Sequence, residues 1–337
     1  MYRSIASNAF TFLIIGVLVV VVVLRWAQMQ FDAPGPTEEV VVLEVAPGDG
    51  LGTVTDKLVD AGVIKSATIF RVGARYSGQE DQIKFADYEV PASASMRDVL
   101  ELITSGRGIS YQVTIPEGFT SWQVVERLKT VPELTGEIAE LPPEGGVAPN
   151  TYGFSKGEDR SAVLERMTAA QVEILEEAWL VRDPETPLRS REEALILASI
   201  VEKETGLGEE RPQVASVFIN RLNRGMKLQT DPTVIYGITL GEGTLGRGLR
   251  RSELDAETPY NTYIIAGLPP TPIANPGKAA IEAVLNPAST PFIYFVADGT
   301  GGHAFAETLD QHNANVRNWR QIEAERAAEK EAETEAQ

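Results

Sequence analysis

The chain has no cysteine and only two histidines in 337 residues, and these shortages bound its chemistry. Without a thiol there is no disulfide framework, no cysteine nucleophile and no thiolate metal site. The absence of cysteine suits an export compartment, although many cytosolic proteins also lack it. His303 and His312, even with Asp298 and Glu307, match no familiar ligand spacing. The run Gly299-Thr300-Gly301-Gly302 reads more simply as a loop after a strand over 292–297, so no metal and no other cofactor is expected. There is no Gly-x-Ser-x-Gly elbow and no Gly-x-x-x-x-Gly-Lys-Ser/Thr phosphate loop. Basic residues are also short, with 30 Lys and Arg against 48 Asp and Glu for a net charge of -18. That balance argues against nucleic acid as a ligand, since phosphate backbones need clustered cations, and leaves a neutral or mixed polymer such as a glycan open.

What is present begins with an uncharged run from Ile5 to Leu24, including the valine-rich stretch 17–23. At about 1.5 Å per residue it matches the ~30 Å hydrocarbon core of a bilayer. No small-x-small cleavage site follows it in Arg25-Trp26-Ala27-Gln28-Met29, so an uncleaved anchor is expected over 5–24. Arg3 precedes the run, while Asp32, Glu38 and Glu39 follow Arg25. This favours residues 1–4 in the cytoplasm and the bulk of the chain outside. A Pro- and Gly-containing linker is expected over 25–39.

The remaining 43% apolar composition supplies a substantial core. A strand, a proline turn and a capped helix recur three times: strand 41–45 with a helix from Gly52 to Gly62, strand 87–90 with a helix from Ser95 to Ser105, and strand 111–115 with a helix capped by Thr120 or Ser121. Unequal spacing favours a small α/β module over a solenoid. Further helices are expected over 161–179, from Ser190 to the glycine at 206, and from Pro212 to Gly225. Residues 321–337 read as a solvated, charged tail.

The most informative stretch is the helix ending Leu195-Ile196-Leu197-Ala198-Ser199-Ile200-Val201-Glu202-Lys203-Glu204-Thr205-Gly206, since a carboxylate on a buried helix face is costly and is usually kept for chemistry. Glu204 follows Leu197 by seven residues, Ile200 by four and Val201 by three, so it continues the apolar stripe, whereas Glu202 points almost the other way. Gly206 suits a left-handed cap, which places Glu204 in the last turn. There the negative end of the helix dipole and partial burial both hold a proton on the carboxyl, the condition for a general acid near neutral pH. The competing reading is a solvated helix end in which these charges merely pair with neighbours.

Polar turns follow: Gln229-Thr230-Asp231-Pro232-Thr233, Tyr260-Asn261-Thr262-Tyr263 and Gly267-Leu268-Pro269-Pro270. Such groups beside a buried acid suit a sugar groove, although each turn alone is also ordinary turn chemistry. The series Ala198 to Thr205, Val214 to Leu222, Leu228 to Gly237, Tyr260 to Tyr263, Gly267 to Pro270 and Tyr294 to Gly299, in that order, resembles the YceG-like (MltG) family of endolytic murein transglycosylases.

The resemblance implies an α+β protein with an N-terminal transmembrane helix, a LysM-like α/β module over 40–110 and a larger α+β catalytic domain over 111–320. It implies cleavage of the β-1,4 bond between N-acetylmuramic acid and N-acetylglucosamine in nascent peptidoglycan, leaving a 1,6-anhydro end. One carboxylate serves as acid and then as base, where a typical glycoside hydrolase needs two. The family's catalytic glutamate is the one followed by threonine, which is Glu204. Gln229, Asp231, Tyr236, Tyr260, Asn261 and Tyr263 match groove motifs and are expected to orient the sugars. Asn150 stands where relatives often carry an acidic residue, so no second carboxylate is expected there. Implied partners are peptidoglycan strands, the synthases that extend them and the cytoplasmic membrane. Two rival readings remain: a non-catalytic glycan-binding scaffold, and a muramidase-type hydrolase pairing Glu204 with Asp231 or Asp255.

Overall fold

A computed structural model describes the backbone of residues 2–335 and the side chains of residues 11–328. Part of the expected cytoplasmic terminus and of the charged tail therefore lies outside the described residues. The chain divides into two compact units, Met1–Tyr111 with Gly153–Glu158, and Gln112–Tyr152 with Asp159–Gln337. Both mix helices with small two-stranded sheets, an α+β architecture.

The first unit opens with α1 (Tyr2–Asp32), whose segment Thr11–Asp32 is long and apolar enough to cross a membrane, its apolar stretch over 12–24 being exposed. Helix continues through 25–32, where a linker is expected from composition. The reason is Phe31, which is buried in the core of this unit, and Asp32, which accepts from Arg97 Nε at 2.7 Å. Gly73 makes room for the Phe31 ring, since a Cβ there would collide with it.

Strand β1 (Val41–Val45) leads to α2 (Leu51–Asp60) and α3 (Ala67–Tyr76), and β2 (Ala86–Val90) returns antiparallel to β1 with Leu43 opposite Tyr88. Helix α4 (Met96–Ser105) starts at a capping box in which Ser95 and Asp98 satisfy each other's backbone N–H, and it ends at left-handed Gly106. Val54, Leu58, Phe70, Tyr88, Val99 and Ile103 fill the interior between these elements. Helix α3 was not visible in the proline-turn pattern; its signal is the Ser66 cap and the buried pair Phe70 and Ala74.

The second unit holds α5 (Ser121–Lys129), capped by Thr120 and Gln123. Strand β3 (Tyr111–Thr114) precedes it and pairs with β4 (Thr151–Phe154). Then come α6 (Arg160–Leu180), α7 (Arg191–Glu204), α8 (Arg211–Asn223), α9 (Asp231–Thr239), the short α10 (Arg251–Leu254) and α11 (Lys278–Leu285). An antiparallel hairpin of β5 (Tyr294–Ala297) and β6 (His303–Ala306) and the long α12 (Leu309–Glu335) complete it. Helix α7 is the hub, packed by α6, α8, α9 and α11. Its Leu197, Ile200 and Val201 are fully buried, each contributing roughly 1.5–3 kcal/mol over exposure.

Candidate active site

The local sequence ends α7 at Glu204, but not through the glycine. Thr205 takes an extended conformation at the helix end and its Oγ1 accepts from the Leu207 N–H at 3.1 Å, so Gly206 is not left-handed. The threonine hydroxyl supplies a stop that glycine was expected to supply. Glu204 thereby becomes the last helical residue, with its carboxyl sunk among groups from α8, α9 and the β5–β6 hairpin.

The two glutamates of α7 have different partners. Glu202 does not face solvent as helical periodicity alone implies, because α7 is packed on nearly every side. Its Oε2 accepts from the Gly277 N–H at 2.9 Å, and Oε1 pairs with Arg211 Nη2 at 3.4 Å. Burial holds its carboxyl above the usual range and the Glu117 charge adds to it; the Gly277 amide and the Arg211 and Lys203 cations oppose this without overturning it. Glu202 thus clamps α7 to its surroundings, as does Lys203, which donates to the Gly118 carbonyl at 3.2 Å.

Glu204 has no such ion pair. Its Oε1 accepts from Thr230 Oγ1 in a short hydrogen bond. Burial is the main cause that pushes its pKa above the usual carboxylate range, and the negative charge of Asp231 adds to it. The Thr230 hydroxyl, His303 and Arg221 act the other way without overturning it.

Thr230 is built into the frame. It sits at the N-cap of α9, yet its side chain makes no cap bond because it is spent on Glu204. Its N–H donates to Thr262 Oγ1 at 3.0 Å, and its carbonyl accepts from Thr233 Oγ1 at 2.8 Å. The preceding residue, Gln229, is exposed and left-handed at φ 49°, tied by its N–H to the Thr262 carbonyl at 3.1 Å. A non-glycine residue in that region is costly and needs surrounding structure to hold it. Arg221 supplies part of that hold, donating from Nε to the Ile293 carbonyl and from Nη1 to the Leu228 carbonyl, both at 2.7 Å.

The residues picked out from sequence fall into two groups. Asp231 and Tyr263 lie within electrostatic reach of Glu204, while Gln229 only precedes its partner Thr230: the Tyr263 hydroxyl donates to Asp231 Oδ1 at 2.7 Å, and burial with the Asp231 carboxylate raises the Tyr263 pKa. Asn261 is fully buried, its amide donating to the carbonyls of Glu253, Leu254 and Ala256 and accepting from the Tyr263 N–H, so it holds the turn that presents Tyr263. Tyr236 and Tyr260 pack ring to ring at 5.1 Å in a separate cluster. There the Tyr236 hydroxyl donates to Glu144 Oε2 at 3.1 Å, and Tyr260 pairs with Thr271 at 2.8 Å. Burial raises both Tyr236 and Glu144. Asp255 is exposed and paired with Arg251 at 3.0 Å.

Sequence reasoning passed over Thr230, Arg221 and Glu144. His303 Nδ1 lies 2.8 Å from Glu210 Oε2, its backbone N–H donates to Glu210 Oε1 at 3.0 Å, and its ring borders the same cavity as Glu204. A histidine oriented by a carboxylate at this site was considered only as a metal ligand. Its nearness to Glu204 arises from the β5–β6 hairpin, which local spacing does not reveal.

The profile of the YceG-like family matches residues 43–318. The endolytic murein transglycosylase of Bacillus subtilis is 28% identical over 304 residues, covering 81% of this chain and 83% of that protein. The endolytic murein transglycosylase of Streptococcus pneumoniae is 28% identical over 335 residues, covering 83% of this chain but 58% of that longer relative. The crystal structure of a YceG-like protein from Listeria monocytogenes superposes with a TM-score of 0.51 at 28% identity, covering 82% of this chain and 99% of the other.

Proposed function

This chain belongs to the YceG-like family, and from that premise we propose that it is a lytic transglycosylase of murein in which Glu204 is the acid and then the base. The observation that carries the reading is the contrast between the two glutamates of α7. Burial raises both carboxyls, but Glu202 is consumed by Arg211 and a backbone amide, whereas Glu204 accepts only from the Thr230 hydroxyl. An enclosed carboxyl without a cation partner is suited to give up a proton and take one back.

The proposed substrate is the β-1,4 bond between N-acetylmuramic acid and N-acetylglucosamine. Glu204 protonates the leaving glycosidic oxygen as the bond to C1 breaks. The resulting carboxylate, steadied by the Thr230 hydroxyl, accepts the proton of the muramyl C6 hydroxyl as that oxygen bonds to C1. The product is a 1,6-anhydro ring, the proton on Glu204 is restored, and no water is consumed. One carboxylate suffices, whereas hydrolysis with inversion or retention needs a second. The positions of Asp231, committed to Tyr263, and Asp255, exposed on Arg251, favour this over the muramidase reading. Gln229, Asp231 and Tyr263 orient the glycan at the acid, while Tyr236, Tyr260 and Asn261 shape the surrounding loops.

The wider reading follows the same family. Apolar α1 anchors the chain once in the bacterial inner membrane with both units on the extracytoplasmic side, where nascent strands and their synthases are. The strand pair and helices of the first unit serve as a LysM-like glycan module. Endolytic action means cuts inside strands. Digests of isolated murein should therefore yield long fragments early, each with an anhydro end by mass spectrometry; release of terminal disaccharides alone would oppose the endolytic part.

Thr230 gives a finer test. Thr230→Val keeps the shape but removes the hydroxyl, so catalytic efficiency should fall about tenfold, the ratio corresponding to one hydrogen bond to a charged group of ~1.5 kcal/mol. Because that hydroxyl lowers the Glu204 pKa, the alkaline limb of the pH–rate profile should move to higher pH in the variant. A limb that stays in place would remove Thr230 from the proton chemistry.

A further inference from the structure

Beside Glu204 lies a cavity of about 240 Å³ bordered by Gly299, Gly301, His303, Trp319 and Arg326. Two of these residues come from α12, beyond position 318 where the family match ends. The volume is below the ~300–1,000 Å³ of sites that take drug-sized ligands, which suits a single ring. Trp319 provides an apolar face with a polar edge, the surface on which the C–H face of a sugar packs.

The floor is a turn built to bare its backbone. Gly299 and Gly301 are left-handed at φ 88° and 101°, and a Cβ on Gly301 would meet nothing within 4 Å, so the chain there borders open space. The turn is nonetheless held on both sides. Arg326 donates to the Gly299 carbonyl, and a Cβ on Gly299 would press on Ile322 at 3.0 Å. On the opposite side Gly302 abuts the Glu210 carboxylate, which also fixes His303 through Nδ1 and leaves the other ring nitrogen for a ligand hydroxyl. The cavity is thus shaped before any ligand arrives, which lowers the entropic cost of binding.

We propose that this cavity binds one N-acetylhexosamine ring of the glycan, stacked on Trp319, and that the extension of α12 beyond the family match completes the substrate site of this chain. The proposal rests on the glycan-cleaving reading of Glu204 and names a subsite for it. Arg326 and Ile322 act as positioning residues for the glycine turn.

The test uses the full chain in detergent with isolated murein. Trp319→Leu keeps an apolar side chain but removes the aromatic face, and Trp319→Phe keeps a ring. The leucine variant should raise KM about tenfold, with a smaller change in kcat, and phenylalanine should recover most of the loss. As a second measurement, Glu204→Gln protein should bind an N-acetylglucosamine tetramer, and Trp319→Leu in that background should weaken the binding by a similar factor while the circular dichroism stays the same. An unchanged KM and unchanged oligomer binding, or a loss confined to kcat that phenylalanine does not rescue, would overturn the cavity assignment. If Glu204→Gln removes activity while Trp319→Leu leaves KM untouched, the subsite falls and the catalytic reading stands. If the unaltered chain makes no anhydro ends, the catalytic reading itself falls.

Discussion

Glu204→Gln should remove the release of anhydro-ended glycan by a factor of about 10³ or more, because general acid–base catalysis alone contributes ~10²–10⁴ and here one group serves both steps. The amide keeps the size of the side chain and can still accept from Thr230, so the fold should persist. Stability gives an independent sign. Burial raises the Glu204 pKa above its ordinary value, so the folded chain holds a proton that the unfolded chain releases. Between the ordinary and the raised pKa, the stability of the unaltered protein falls as pH rises. Glutamine cannot ionise, so the variant should be the more stable protein at neutral pH and lose that advantage in acid, below the ordinary carboxyl pKa. In the active protein the rate should fall as pH rises through the raised pKa, since the first step needs the protonated form. A variant that is inactive but less stable at neutral pH would argue that Glu204 is structural.

Arg221→Met should produce the second large effect. The guanidinium is buried and donates to two carbonyls at 2.7 Å, those of Ile293 and Leu228. Hydrogen bonds from charged groups contribute ~1.5–3 kcal/mol each, and methionine of similar length leaves both carbonyls without a donor. Burial lowers the Arg221 pKa, which means that the charge is costly here and offsets part of that sum. The expected net loss is about 2–4 kcal/mol in chemical denaturation of the full chain in detergent. Activity should fall further than stability predicts, because Leu228 begins the segment that places Gln229 and Thr230. Loss of stability without a drop in kcat would show that the segment does not depend on Arg221.

Much of the fold was legible wherever the sequence carries its own punctuation. Ser95 with Asp98 and Thr120 with Gln123 form the capping boxes that start α4 and α5, and both are local patterns. Helix α11 and strand β6 lack such marks. Gly277 caps the helix without a side chain, and the strand is defined by its pairing with β5.

The burial of Glu204 was legible because it extends an apolar stripe, whereas the burial of Glu202 was not. Periodicity assumes one wet face, and α7 is packed by four helices, so an acid on the nominally polar face is buried too. The groups that distinguish the two acids are far away in sequence: Thr230 for Glu204, and Arg211 with Gly277 for Glu202. No spacing rule joins positions 204, 230 and 303; tertiary packing does.

The central claim is that the C6 hydroxyl of the substrate, and not water, receives the bond that Glu204 helps to break. The most direct measurement is digestion of murein in isotopically labelled water, with mass spectrometry of the new chain ends. The account predicts unlabelled ends lighter by one water than a reducing sugar, appearing with the unaltered chain and absent with Glu204→Gln. Labelled reducing ends that depend on Glu204 would contradict it and make the protein a hydrolase.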